Sequence, residues 1–164
     1  MLAVGANSTA IMAALPSMRT ELPLTAAGVE WAINVYLVVS AAFIVLGGRA
    51  ADRFGARQVA IVGLALFGVA SCLIAAAGAQ ATLLVGRGMQ GLAAAFAVPS
   101  TLAAINIGAA PERRATAIGA WTGFLMLGFS IGPLLGGALT HVASWRVIFW
   151  LNVVLMVAAI AGLG

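Results

Sequence analysis

The sequence has 164 residues, of which 63% are hydrophobic and only 7% are charged. Soluble domains carry about 25% charged residues, so this composition excludes a soluble globular domain and indicates an integral membrane protein. Eight basic side chains, all of them arginine, outweigh four acids and give a formal net charge of +4. No combination of aromatic and basic side chains accompanies this charge, so we expect no nucleic-acid partner.

The titratable side chains offer little for catalysis. The chain contains one histidine, His141, and one cysteine, Cys72. This inventory provides neither a cluster of metal ligands nor a nucleophile beside a base. We therefore expect no enzyme, no metal site and no cofactor.

The charged residues divide the chain into apolar stretches that match the thickness of a bilayer, which is about 30 Å or 20 helical residues. Residues 58–110 are interrupted only by Arg87 and must fold back on themselves, for which Gly78–Thr82 provides the turn. The sequence predicts an all-α bundle of six transmembrane helices in one unit, residues 1–164. The predicted spans are approximately 2–18, 31–48, 59–78, 82–107, 115–139 and 147–163.

The arginines predict the orientation of this bundle. The loops after the second and fourth spans hold five arginines, and the opposite side holds two. Because cytoplasmic loops are rich in Lys and Arg, we expect both loops and both chain ends on the cytoplasmic side of the inner (plasma) membrane. Trp31, Trp145 and Trp150 lie near span ends, as in an interfacial aromatic belt. Neither end carries a charged flank, so we expect the sequence to be truncated at both ends.

The predicted fifth helix is rich in glycine. Three of its glycines recur every fourth residue, so one helix face is bare and permits close approach of another helix. Its proline lies on that face and is expected to kink the helix. The residues that we single out in this helix are Gly119, Gly128, Gly132, Pro133, Gly136 and Gly137.

Arg87 is the one formal charge inside a span. An Arg at the centre of a span costs at least about 2.5–3.5 kcal/mol, so it is expected to face a cavity and have a function. The alternative is a structural Arg that extends to the outer headgroups. Gln90 lies one turn further along the helix, and Asn7 and Asn34 are polar groups in other spans. These four residues are the predicted substrate or coupling site, although Asn7 and Asn34 are equally suited to bonding neighbouring helices.

A short loop is predicted after the second span. Gly48 would end one helix, and Gly55 would permit the turn. Asp52 is placed to accept charge-assisted hydrogen bonds from Arg53, Arg57 or a helix end. The arginines in any case serve as determinants of topology.

Five stretches of the chain resemble, in the expected order, motifs of major facilitator superfamily exporters. The glycine and proline positions of the fifth helix resemble the antiporter motif of that family. Residues 48–57 are similar to its loop motif between helices two and three, and residues 83–99 to its fourth-helix motif. Residues 9–16 and 144–152 are similar to the first and sixth helices of the fourteen-span drug:proton antiporters.

This resemblance implies the N-terminal six-helix half of a major facilitator fold, in a transporter that exports small amphipathic organic compounds by alternating access. Arg87 would help to couple protonation to cavity opening, the loop around Asp52 would form a cytoplasmic latch, and the fifth helix would seal the export pathway. The implied partners are the lipid bilayer, a small-molecule substrate, and a missing C-terminal half or a second copy of the chain. The implied energy source is the proton gradient.

One departure leaves alternatives open. Asn7 stands where the drug antiporters carry an Asp, and an Asn cannot release a proton. The chain is therefore also compatible with a facilitator or metabolite exporter that is not coupled to protons. A third interpretation is a membrane protein that assembles or regulates a partner without transporting anything. Whether the full protein has twelve or fourteen spans stays open.

Overall fold

The computed structural model describes residues 1–163, which form six α-helices and no strand. This confirms the predicted all-α, six-helix architecture. The helices are α1 (Leu2–Glu21), α2 (Ala26–Phe54), α3 (Ala56–Ala75), α4 (Gln80–Gly108), α5 (Pro111–Val142) and α6 (Arg146–Leu163).

Five of the six helices, α2 to α6, are long and apolar enough to cross a membrane. α1 is not among them because Arg19, near its end, and the polar residues Asn7, Ser8 and Thr9 lower its hydropathy. Much of α1 is buried against the other helices, including Asn7 and Ser8. A helix that is covered in this way has less need of apolar side chains than one that faces lipid.

The helices pack in two principal pairs. α1 packs mainly against α5, and α2 mainly against α4. α3 joins α4 on its other side and also contacts α6. α2 and α5 are the most exposed helices and carry long apolar faces.

The two ends of the bundle are named here after one residue each. At the Trp145 end, α1, α3 and α5 finish and α2, α4 and α6 begin, whereas the Arg53 end contains the junctions between α2 and α3 and between α4 and α5. The largest hydrophobic cluster extends to the Trp145 end, where it includes Met18, Leu22 and Trp145. The cluster at the Arg53 end is small and contains Ala51, Ala56 and Val59.

The predicted loop at the Arg53 end is wrong in extent. Gly48 does not end a helix, because α2 continues to Phe54 and α3 begins at Ala56. Gly55 alone separates them, with a φ of 93° that L side chains rarely adopt. The residues between Gly48 and Gly55 include alanines and arginines, which are good helix formers, so nothing interrupts α2 before Gly55.

The turn between α3 and α4 falls slightly earlier than predicted. Residues 76–79 form it, and α4 already begins at Gln80. The Gln80 side chain explains the position, because its Oε1 accepts hydrogen bonds from the backbone N–H and the hydroxyl of Thr25, at 2.8 and 3.2 Å. This contact fixes the first residue of α4 against the start of α2.

Candidate functional site

A polar network lies in the middle of the bundle, and Arg87 carries its only formal charge. The Arg87 side chain is 0% exposed. Its Nε donates to the carbonyl of Ala32 at 2.8 Å, and its Nη1 donates to Oε1 of Gln90 at 2.9 Å. The guanidinium carbon lies 4.5 Å from the centre of the Tyr36 ring, which is a cation–π geometry.

Gln90 connects most of the network. Its Oε1 also accepts from Nδ2 of Asn7 at 3.2 Å, while its Nε2 donates to Oγ of Ser71 at 2.9 Å. Asn7 in turn accepts a hydrogen bond from Nδ2 of Asn152 at 2.8 Å. These side chains come from α1, α3, α4 and α6, and the Ala32 carbonyl adds α2.

Tyr36 gives α1 a second connection to Arg87. A hydrogen bond of 3.0 Å joins its hydroxyl to Oγ of Ser8, while its ring covers the guanidinium. The backbone of Tyr36 also lies against Gly91, where a Cβ would collide with the Tyr36 carbonyl. The close approach of α2 and α4 at Gly91 therefore holds the Tyr36 ring beside Arg87.

The acceptors that bond to the Arg87 guanidinium are neutral groups. Its acceptors are a backbone carbonyl and an amide oxygen, and no carboxylate of the described chain contacts it. Its Nη2 is buried without a hydrogen-bond partner among residues 1–163. Because a buried charge is costly unless it is well bonded, this arrangement depends on every remaining acceptor.

Three of the four predicted site residues come together, and one does not. Asn7, Arg87 and Gln90 bond within one network, whereas the side chain of Asn34 is exposed on α2 outside it. The alternative in which Arg87 extends to the headgroups is wrong, because the side chain is fully enclosed. The expectation that Arg87 faces an open cavity is not met either, because the side chain is packed among helices.

The sequence did not single out Ser71 and Asn152 as members of the site. Both are fully or almost fully buried and bond to predicted site residues. Each is an isolated polar residue in an otherwise strongly apolar helix. That contrast was the available signal, since polar groups within membrane helices usually face the bundle interior.

The glycine face of α5 packs against α1. A Cβ at Gly128 or Gly136 would collide with backbone atoms of α1, and one at Gly132 would collide with the Thr9 hydroxyl and the Ala6 carbonyl. The motif positions are not equivalent. Gly119 has nothing within 4 Å of a Cβ, and Gly137 has only the Ala13 Cβ at 3.9 Å.

The charged residues at the Arg53 end do not form the predicted contacts. Asp52 and Arg53 are exposed, and no hydrogen bond or ion pair joins Asp52 to Arg53 or Arg57 in the described part of the chain. Arg53 instead covers the ring of Phe54, the last residue of α2, 5.5 Å from its centre. Arg57 donates from Nε to the carbonyl of Leu163.

At the Trp145 end, the side chains of Glu21 and Arg146 join α1 and α6 to the turn after α3. The carboxylate of Glu21 accepts from Nε1 of Trp145 at 3.1 Å and from Nη1 of Arg146. Arg146 also donates to the carbonyl of Ala77 at 3.1 Å and covers the Trp145 ring. The hydrogen bond from Arg146, followed by that from Trp145, holds the pKa of Glu21 below its usual value.

The predicted aromatic belt is wrong for one of its three members. Trp145 is 0% exposed, whereas Trp31 and Trp150 are 50% and 52% exposed. The hydrogen bond from Trp145 to Glu21 satisfies its indole N–H, which permits the ring to be buried.

No group of three His, Cys, Asp or Glu residues able to hold a metal ion occurs within residues 1–163.

The family model described as Major Facilitator Superfamily matches residues 1–163. All of the site residues described above lie within this match.

Curated relatives align with nearly the whole chain. The methylenomycin A resistance protein of Bacillus subtilis (strain 168) is 37% identical over 153 residues, which are 93% of this chain and 33% of the relative. The tetracenomycin C resistance and export protein of Streptomyces glaucescens is 36% identical over 98% of this chain and 30% of the relative. The puromycin resistance protein pur8 of Streptomyces alboniger is 35% identical over 95% and 31%. The chain therefore spans about a third of the length of these relatives.

Proposed function

Because this chain belongs to the Major Facilitator Superfamily, we propose that it is the N-terminal six-helix half of a secondary transporter that exports small amphipathic organic compounds by alternating access. It is an integral membrane protein. The observation that carries the proposal is the alignment of antibiotic resistance and export proteins over more than nine-tenths of the chain. No catalytic role is part of the proposal. The proposed protein partner is the C-terminal half of the transporter or a second copy of this chain.

The geometry supports a central role for Arg87. Its charge is held by groups from α2 and α4, and Gln90 passes the connection to α1, α3 and α6. A change of charge or hydrogen bonding near Arg87 would therefore act on five helices at once. Such a shared element is what an alternating-access transporter needs to convert a local event into movement of a half.

The coupling ion is a separate question, and Asn7 bears on it. Both polar atoms of its amide are bonded, to Gln90 and Asn152, and neither releases a proton. We propose that any proton-carrying acid lies outside this network. A facilitator or metabolite exporter without proton coupling is the second candidate, and the amide at position 7 favours it.

The test is efflux of a fluorescent amphipathic cation, ethidium, from bacterial cells that express the full-length protein and lack their main exporters. The proposal predicts that internal ethidium falls below its equilibrium level and rises when an uncoupler collapses the proton gradient. A facilitator would only accelerate equilibration. If a panel of ethidium, puromycin and tetracycline shows no change in accumulation, the transport proposal is wrong and the assembly or regulatory role takes its place.

We propose that the Arg53 end and both chain ends face the cytoplasm of a cell bounded by its inner membrane. The five arginines at that end, against two at the other, support this orientation. Two glycines with open space around a Cβ, Gly48 and Gly78, provide matched labelling sites at opposite ends. In a Cys72→Ser background, an impermeant maleimide added to intact cells should label Gly78→Cys and not Gly48→Cys. The reverse pattern would contradict the orientation.

A further inference from the structure

Pro133 leaves one backbone carbonyl of α5 without its usual donor. In an α-helix the carbonyl of Phe129 would accept from the N–H of residue 133, but proline has no N–H. Pro133 lies inside α5, and the helix continues for nine residues beyond it, to Val142. The free carbonyl therefore lies in the middle of a membrane-spanning helix, where an unsatisfied group is costly.

Thr9 of α1 supplies a hydrogen bond to this carbonyl. Its Oγ1 lies 3.0 Å from the Phe129 oxygen, whereas the nearest carbonyl of its own helix, that of Ala6, is 3.4 Å away. A hydroxyl has one hydrogen to donate, and the shorter contact is to α5. Gly132 makes the approach possible, because a Cβ there would occupy the position of the Thr9 hydroxyl.

The two other prolines in helix interiors lack such a donor. Pro99 frees the carbonyl of Ala95, and Pro16 frees the carbonyl of Met12. In the described part of the chain, no side chain donates a hydrogen bond to either carbonyl, in contrast to the bond from Thr9. The contact at Pro133 is therefore specific to the α1–α5 pair.

We propose that Thr9 is a positioning residue for α5. Its hydroxyl replaces the hydrogen bond that Pro133 cannot make, and Gly132 leaves the room for it. The segment of α5 around Pro133 is thereby joined to α1, so that the two helices change conformation as one unit. This inference goes beyond the proposed function. The contact between the two helices can be measured without a transport assay.

The test is a double-mutant cycle in the full-length protein, purified in detergent, with thermal unfolding as the readout. Thr9→Val removes the hydroxyl and keeps the volume, and it should lower the midpoint by about 2–4 °C. Thr9→Ser keeps the hydroxyl, so its midpoint should stay close to that of the wild type. Pro133→Ala returns the backbone donor to Phe129, so in that background Thr9→Val should lower the midpoint by less than half as much.

The matched control is Thr20→Val. Thr20 lies on the same helix, but its hydroxyl donates to the carbonyl of Ser17, at 2.8 Å, within α1. Its effect should be the same with and without Pro133→Ala. An equal effect of Thr9→Val in both backgrounds would overturn the proposal.

A second measurement covers variants that unfold during purification. The Ala13 Cβ lies 3.9 Å from the position of a Cβ at Gly137, a separation that suits a disulfide. In membranes, with Cys72→Ser, the pair Ala13→Cys and Gly137→Cys should oxidise readily with Thr9 or Thr9→Ser and several-fold more slowly with Thr9→Val. Equal rates would overturn the proposal, whereas absence of efflux by the unchanged protein would overturn only the proposed function.

Discussion

The two ends of the bundle use their charged residues in different ways. At the Trp145 end, Glu21 and Arg146 pair with each other and bond to Trp145 and Ala77, so that α1, α6 and the turn after α3 are connected. At the Arg53 end, the exposed Asp52 forms no ion pair within residues 1–163. The Trp145 end is held together by an ion pair inside this half. At the Arg53 end, Arg57 bonds to the carbonyl of Leu163, whereas Asp52 and Arg53 are exposed.

This difference indicates where the half is stable and where it is adaptable. Segments with many buried contacts open rarely, and segments with few open easily. We expect the Trp145 end to remain fixed, and the Arg53 end to make its main polar contacts with the rest of the proposed transporter.

The largest expected difference between the ends is in their aromatic residues. Trp145→Ala should destabilise the protein by about 3–5 kcal/mol, because the ring is fully buried in the main cluster. Phe54→Ala, at a side chain that is 61% exposed, should change stability by less than about 0.5 kcal/mol. Denaturant unfolding of both variants in the same detergent measures the contrast. Similar losses would show that the two ends are equally packed.

Two glutamines provide a smaller and better matched comparison. Gln80→Ala removes the acceptor for the Thr25 backbone and hydroxyl at the start of α2 and should cost about 1–2 kcal/mol. Gln58→Ala, at an exposed residue of the Arg53 end, should cost less than about 0.5 kcal/mol. The same unfolding measurement applies. A cost at Gln58 equal to that at Gln80 would contradict the account of the Arg53 end.

The smallest expected stability effect is at the acids. Glu21→Gln should cost no more than about 1 kcal/mol, because the pair with Arg146 is partly exposed. The pKa of Glu21 is lowered from 4.5, so its contribution is complete above that pH and is lost as the pH falls through the lowered value. The difference between wild type and Glu21→Gln should therefore be constant from pH 7 to 5 and should shrink below pH 4.5. A difference that persists unchanged at pH 3 would contradict the pairing.

Asp52→Asn is the counterpart at the other end. Because Asp52 has no ion pair to lose within the described chain, its stability should be unchanged. If Asp52 acts as a latch to the rest of the transporter, ethidium efflux should fall while the amount of protein in the membrane does not. Glu30→Gln, at an exposed acid toward the Trp145 end, is the control and should retain efflux. Unchanged efflux in Asp52→Asn would remove the latch.

The features that the sequence predicted correctly depend on local properties. The lengths of the uncharged stretches gave the six helices, and Gly55 was expected at the turn that it forms. The four-residue spacing of Gly128, Gly132 and Gly136 predicted a close helix contact, and α1 is the helix that fills it. Which helix would fill it depends on the arrangement of the whole bundle.

The features that the sequence missed depend on contacts between distant segments. Asn152 joins the network through Asn7, which is 145 residues away along the chain. Trp145 was expected at the membrane interface because it lies at a helix end, but Glu21 bonds its indole N–H and the ring is buried. The extent of the loop at Arg53 was overestimated because charged residues at a helix end were interpreted as non-helical.

The most direct test of the account is ethidium efflux by Arg87→Gln in the full-length protein. The buried charge of Arg87 lies at the centre of a network that spans five helices. We expect that this variant reaches the membrane in comparable amount and that its efflux rate, normalised to that amount, falls at least about tenfold. Efflux at the wild-type rate would contradict a functional role for the charge.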